Sequence, residues 1–270
     1  MSFMEKPYVG VTGPASSEEV SGLLDIFKSS GLSHSSRHMP MIGFLVSYKS
    51  LEFGYNPGDM RYPRIKDLAG LLSEADGEAF TTIHYNTRTP SHLYDEICSV
   101  LGTDGIYDSS VCKGLQINVA WPPKDQVDMI RMKFPDLKTI LQLPKSATSD
   151  MTVDDIAYKV VHDYPDTEYV LIDPSGGRGE EFDVSNSASL YKKLKDVGFS
   201  GVIGLAGGLS GDNVNKVIDA VIKTTGSRDF SIDAEGRLRD SFGDKPGESM
   251  LNLSKARAYV LNADASLNKL

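Results

Sequence analysis

Asp173 ends an apolar run, Tyr169-Val170-Leu171-Ile172, and is followed by a glycine-rich stretch, Pro174-Ser175-Gly176-Gly177-Arg178-Gly179. A second apolar run, Gly201-Val202-Ile203-Gly204-Leu205-Ala206, breaks into Gly207-Gly208-Leu209 and then Ser210-Gly211-Asp212-Asn213-Val214. A carboxyl at the end of a buried strand suits proton transfer. Glycine lets a backbone turn sharply and approach a ligand without a Cβ in the way. A helix that starts after such a turn offers unpaired N–H groups and partial positive charge. Two loops of this kind side by side suit a phosphate, whereas each taken alone is equally well read as a tight turn.

Other residues at the ends of apolar runs extend this list. His84 closes Phe80-Thr81-Thr82-Ile83-His84-Tyr85-Asn86 and is read as an acid or base, or as a hydrogen-bonded rim residue. Asn86, Asn118 and Gln142 end neighbouring strands and could orient hydroxyls or a carboxylate. Arg178 and Arg237 sit in glycine loops and supplement an anion grip, or are simply solvated. Trp121, the single tryptophan, precedes Pro122-Pro123 and reads as a packing residue before a stacking one. His84, Asp173, Asp233 and Glu235 could converge on a metal, but no tight ligand spacing supports one, and none is expected.

The elements that must position these groups follow from the apolar pattern. Short buried runs recur at Tyr8–Thr12, Met41–Val46, Phe80–Asn86, Gly114–Val119, Leu137–Leu143, Tyr169–Asp173, Gly201–Ala206 and Asp229–Asp233, with helical patterns between them. The first helix is marked by Ser16-Ser17-Glu18-Glu19, with Val20, Leu23, Leu24 and Phe27 on one face. Residues 47–63 form a longer connection than a typical strand-to-helix loop and read as a lid. The last helix falls between about 247 and 262, after a polar loop. Eight alternations without a linker predict a single (β/α)₈ TIM barrel over residues 1–270, with a doubly wound open sheet as the alternative.

Composition narrows the partners. The formal charge of -9 and the lack of a basic block argue against nucleic acid and against an acidic membrane surface. Two cysteines, Cys98 and Cys112, are too few for a secreted disulfide framework. The N-terminal residues lack the apolar core of a signal peptide, and no run approaches the ~20 apolar residues of a membrane span. A soluble cytoplasmic protein is expected.

Leu205-Ala206-Gly207-Gly208-Leu209 with Asp212-Asn213-Val214 resembles the seventh-strand motif of phosphoribosylanthranilate isomerase. Ile172-Asp173-Pro174-Ser175-Gly176-Gly177-Arg178-Gly179 with Phe182-Asp183 resembles that family's sixth-strand motif, and Ile42-Gly43-Phe44 with Arg61-Tyr62 its second-strand segment. The resemblance implies a ribulose-phosphate-binding type of barrel and an aldose-to-ketose rearrangement of a small phosphorylated ligand, without cofactor or metal, in a chain that often pairs as a homodimer. It implies that Asp173 is a general acid and that Arg61 meets a substrate carboxylate. It also implies that backbone around Gly177, Gly207, Gly208 and Gly236 holds the phosphate. The family's base is a cysteine in a Cys-Gly pair at the end of the first strand. Aligned through Gly13 that place is Thr12, and aligned through Gly10 it is Val9. Neither takes a proton at neutral pH. The expected function is therefore an acid–base isomerase with an altered substrate, in which His84 partners Asp173. A barrel that binds without turnover and a metal-assisted lyase or aldolase remain as alternatives.

Overall fold

The computed structural model describes residues 5–174, 183–243 and 247–268. Strands β1 (Tyr8–Thr12), β2 (Met39–Ser47), β3 (Phe80–Asn86), β4 (Gly114–Ile117), β5 (Lys138–Pro144), β6 (Tyr169–Asp173), β7 (Val202–Ala206) and β8 (Phe230–Ala234) pair in sequence order, and β8 returns to β1. Every pairing is parallel, so the sheet closes into a (β/α)₈ barrel rather than the open sheet. The apolar runs form strands because both faces of each are covered, one by the barrel interior and one by helices.

Helices α1 (Ser17–Ser30), α2 (Tyr48–Phe53), α3 (Ile65–Ala75), α4 (Leu93–Gly102), α5 (Lys124–Lys133), α6 (Lys145–Thr148), α7 (Val153–Asp163), α8 (Val184–Asp196), α9 (Val214–Thr225) and α10 (Leu253–Leu267) make up the outer layer. Their starts and stops are local chemistry. Ser16 caps α1 by accepting from the Glu19 N–H, and Gly31 ends it with φ 85°. The α1 face that packs inward carries Ile26 in addition to Val20, Leu23 and Phe27, while Leu24 lies half-buried. None of these helices is long and apolar enough to cross a membrane.

Two regions differ from the pattern-based expectation. The 47–63 connection holds the short helix α2, and its Met60 N–H donates to the Gly247 carbonyl at 3.0 Å. The polar segment after β8 contains a hairpin of β9 (Arg239–Ser241) and β10 (Ser249–Leu251), so the last helix starts later than expected. These strands, Arg-Asp-Ser and Ser-Met-Leu, are three residues long, too short to show an alternation. Buried Arg239 fastens the hairpin to the first strand's turn, donating from Nη1 to the Gly13 carbonyl at 3.0 Å.

Candidate functional site

Side chains alternate along each strand, so residues two apart share the interior face. At the N-terminal end of the barrel that face is apolar. Tyr8, Phe80 and Tyr169 pack with ring centroids 5.6–6.1 Å apart and, with Met41, Ile140 and Leu171, plug the floor. Four residues further along β1, β3 and β6 the same face presents Thr12, His84 and Asp173. There a cavity of about 680 Å³ opens at the C-terminal mouth. Thr12, Arg61, His84, Asn118, Gln142, Asp173, Gly207, Gly208, Asp233, Glu235 and Gly236 all line it.

Asp173 is buried at the end of β6, and its Oδ2 accepts from Gln142 Nε2 of β5 at 2.7 Å. Ile172 pairs with Leu205 and Ala206 with Asp233, so Asp173, Ala206 and Asp233 form one row across three adjacent strands. Strands are about 4.8 Å apart, which places the two carboxyl-bearing backbones roughly 10 Å from each other with a methyl group between them.

The sequence marks Asp233 only as a possible metal ligand, and the structure gives it a different setting. Both of its carboxyl oxygens accept from Thr12 Oγ1, at 2.9 and 3.0 Å. Gly10 on the neighbouring strand leaves room here: a Cβ there would lie 2.5 Å from Met41 Cε and 3.0 Å from Asp233 Oδ1. Burial, opposed by the Thr12 hydrogen bond and reinforced by the charges of Glu235 and Asp173, pushes its carboxyl up to about 8. A signal was present in the sequence, since Ser231, Asp233 and Glu235 occupy successive positions of one face and two of them are acidic.

His84 does not pair with Asp173 as expected. Its Nε2 meets Thr82 Oγ1 at 3.0 Å and its Nδ1 lies 3.5 Å from Thr12 Oγ1. Burial pushes its imidazole down to about 3, so it stays neutral throughout the physiological range and is no titrating acid or base. Gly43 makes room for it, because a Cβ there would lie 2.4 Å from His84 Nε2. Of the two alignments of the missing cysteine, Thr12 faces the cavity, while Val9 packs in the outer core between strands and helices. Cys98 lies in α4. The Cys112 thiol, which bonds to the Gly114 carbonyl, is pushed by burial up to about 12.

Arg61 reaches the mouth from the long β2–α3 connection. Its Nε and Nη2 grip Asp59 at 2.8 and 2.6 Å, and its Nη1 meets Glu235 at 2.8 Å. The Asp59 hydrogen bonds raise the guanidinium further above its ordinary value. Asn118 accepts from Gln116 Nε2 at 2.9 Å at the end of β4. Trp121 stands outside the cavity wall, stacked on Tyr164 and donating to the Ala147 carbonyl.

On the glycine side, Gly207 and Gly208 have φ of 101° and 64°, values a side chain would strain. Asn213 locks this turn, donating from Nδ2 to the Gly208 carbonyl and accepting from the Ser210 N–H, both at 2.8 Å. Gly236 opens a single 3₁₀ turn after β8. Gly177 and Arg178 lie outside the described residues. Among the described residues no group of three or more His, Cys, Asp or Glu side chains is arranged to hold a metal.

Residues 130–233 match the family model for N-(5'phosphoribosyl)anthranilate (PRA) isomerase, a segment that runs from the end of α5 to Asp233. No curated protein sequence matches the chain. Among solved structures, phosphoribosyl anthranilate isomerase from Thermus thermophilus is 14% identical over 96% of this chain and 98% of that one, with a TM-score of 0.61. Tryptophan synthase subunit alpha from Legionella pneumophila is 10% identical over 98% and 94%, with a TM-score of 0.57. The catalytic domain of a chitinase from Pyrococcus furiosus is 12% identical over 99% and 98%, with a TM-score of 0.56. At such identities these structures bear on the fold alone.

Proposed function

We propose that this chain, a divergent relative of the phosphoribosylanthranilate isomerase family, binds a small phosphorylated sugar or sugar-amine at the barrel mouth and rearranges it by acid–base isomerisation. The observation that carries the reading is that Asp173 and the Gly207–Gly208 turn, at the ends of the adjacent strands β6 and β7, line one cavity. A phosphate seated on backbone N–H groups of the β7 and β8 loops would hold the reacting carbons over Asp173. Gln142 fixes the orientation of that carboxyl. Asn118 and Asn86 are available on the facing wall for substrate hydroxyls.

The substrate differs from the family's own at the end away from the phosphate. Arg61, the cation that would meet a substrate carboxylate, already engages Asp59 and Glu235. A ligand without a carboxylate at that end fits this charge balance.

Thermal unfolding with aldose phosphates, inorganic phosphate and aromatic acids tests the reading. A phosphorylated sugar at one hundred times its dissociation constant adds ~2.7 kcal/mol of stability. Aromatic acids lacking phosphate are expected to add nothing. If no phosphorylated compound stabilises the protein, the proposal fails. Stabilisation without turnover of any aldose phosphate would leave a binding barrel instead of an enzyme.

A further inference from the structure

We infer that Asp233 is the second catalytic residue of the mouth, the acid that protonates the substrate oxygen while Asp173 takes the carbon-bound proton, with Thr12 as the residue that positions it. The inference rests on the isomerase reading above; it gives Asp173 the base's role left open by the missing thiol, in place of the acid's role that the resemblance implied, and gives the acid's role to Asp233.

The geometry comes first. Asp173 and Asp233 face the same cavity from β6 and β8, in one row, separated by Ala206. Asp233 sits beside Gly10, and the Thr12 hydroxyl bonds to both of its carboxyl oxygens. Thr12 stands where one alignment places the family's cysteine, and instead of supplying a base it holds a second carboxyl.

The charged and titratable groups around Asp233 sort the roles. Glu235 lies just past the end of β8 and Asp173 on β6, and both raise it beyond the effect of burial. The Tyr8 phenol from β1 and the Tyr259 phenol from α10 lie within range of its charge, and both are pushed well above their usual value. His84 from β3 is neutral and reaches Thr12, not Asp233. Arg61 and Arg239 act on Glu235. Asp233, which burial pushes up to about 8, is thereby suited to the acid's role.

The step balances without any added electron acceptor. The Asp173 carboxylate takes the proton from C2 of an open-chain aldose phosphate. The C–H electron pair becomes the C1–C2 double bond, and the carbonyl π pair moves onto O1, which takes the proton of Asp233. The enediol then gives its O2 proton to Asp233 and receives at C1 the proton held by Asp173. The product is the ketose, and both carboxyls return to their starting states.

The test follows ketose formation and solvent-deuterium incorporation by proton NMR, with aldose phosphates from triose to hexose as probes. Asp233→Asn is expected to lower kcat by ~10²–10⁴-fold while inorganic phosphate still raises the unfolding temperature. The wild-type kcat/KM is expected to fall as pH rises through about 8. Thr12→Val removes a hydrogen bond that favours the ionised carboxyl, so this falling limb moves to higher pH, and Thr12→Ser restores it. An Asp233→Asn variant within threefold of wild type, or a falling limb unmoved in Thr12→Val, overturns the role of Asp233 and leaves the isomerase reading intact. A wild-type protein inert toward every probe overturns the isomerase reading itself, and this inference with it.

Discussion

The floor and the mouth of the barrel are built by the same strands and differ in kind. Tyr8 and Thr12, Phe80 and His84, and Tyr169 and Asp173 are each four residues apart on one face of one strand. The lower member of each pair packs in an aromatic plug, and the upper member lines a polar cavity. The floor gains free energy by removing rings from water. The mouth spends some of that stability on buried polar groups whose protonation states differ from those in water. The apolar plug and the polar cavity are thus separated along the barrel axis by little more than one side-chain layer.

The sharpest test of this separation is Asp173→Asn. Turnover is expected to drop ~10²–10⁴-fold with the unfolding midpoint close to wild type, because the amide keeps the size of the carboxyl and can still bond to Gln142. A large loss of stability with this variant would mean that the mouth carries structural load as well. The reverse substitution, Phe80→Ala in the floor, is expected to cost ~3–5 kcal/mol by denaturant unfolding. Phosphate binding, measured under conditions where the variant is folded, should persist.

A smaller effect is expected where the two layers meet. Gly43→Ala puts a methyl group within 2.4–2.7 Å of His84 Nε2, His84 Cε1 and Thr12 Oγ1, so the imidazole must leave its bond with Thr82. A cost of ~1–3 kcal/mol follows, together with a changed His84 NMR signal. An unchanged His84 environment would show that the niche is looser than the geometry implies.

The pH dependence of stability resolves the mouth most finely. Asp233 has a folded-state value of about 8 against 3.8 unfolded, so the native protein keeps a proton that the unfolded chain releases. Its contribution makes stability fall as pH rises from about 4 to about 8. His84 has a folded value of about 3 against 6.5, so the unfolded chain binds a proton that the native state refuses. Its contribution makes stability fall as pH drops from 6.5 toward 3. Burial likewise pushes the His38 imidazole down to about 4, so both histidines oppose Asp233 between about 4 and 6.5, and the Asp233 slope stands without them from 6.5 to 8, at ~1.4 kcal/mol per pH unit. Urea unfolding across this range is expected to lose the upper slope in Asp233→Asn and to expose the lower one. A flat profile for both proteins would remove the unusual protonation from the account.

What could be read before folding was local. Buried apolar runs marked the eight strands, caps and glycines marked the helix ends, and Asp173, Gly207 and Gly208 stood where a strand gives way to a turn. These signals depend on neighbours a few residues away, and so does the alternation that points a side chain into the barrel. The short polar hairpin after β8 escaped because three-residue strands carry too little pattern.

Closure of the barrel decided the rest. Thr12 and Asp233 are 221 residues apart in sequence and share a hydrogen bond only because β1 is the neighbour of β8. Arg61 and Glu235 meet across 174 residues for a related reason, since the connection after β2 runs past the end of β8. The depth at which His84 sits, and so its neutrality, was set by Gly43 and Thr12 on adjoining strands. A linear sequence fixes which groups stand at strand ends, whereas their partners and the water left around them depend on register and closure, which join residues far apart in the chain.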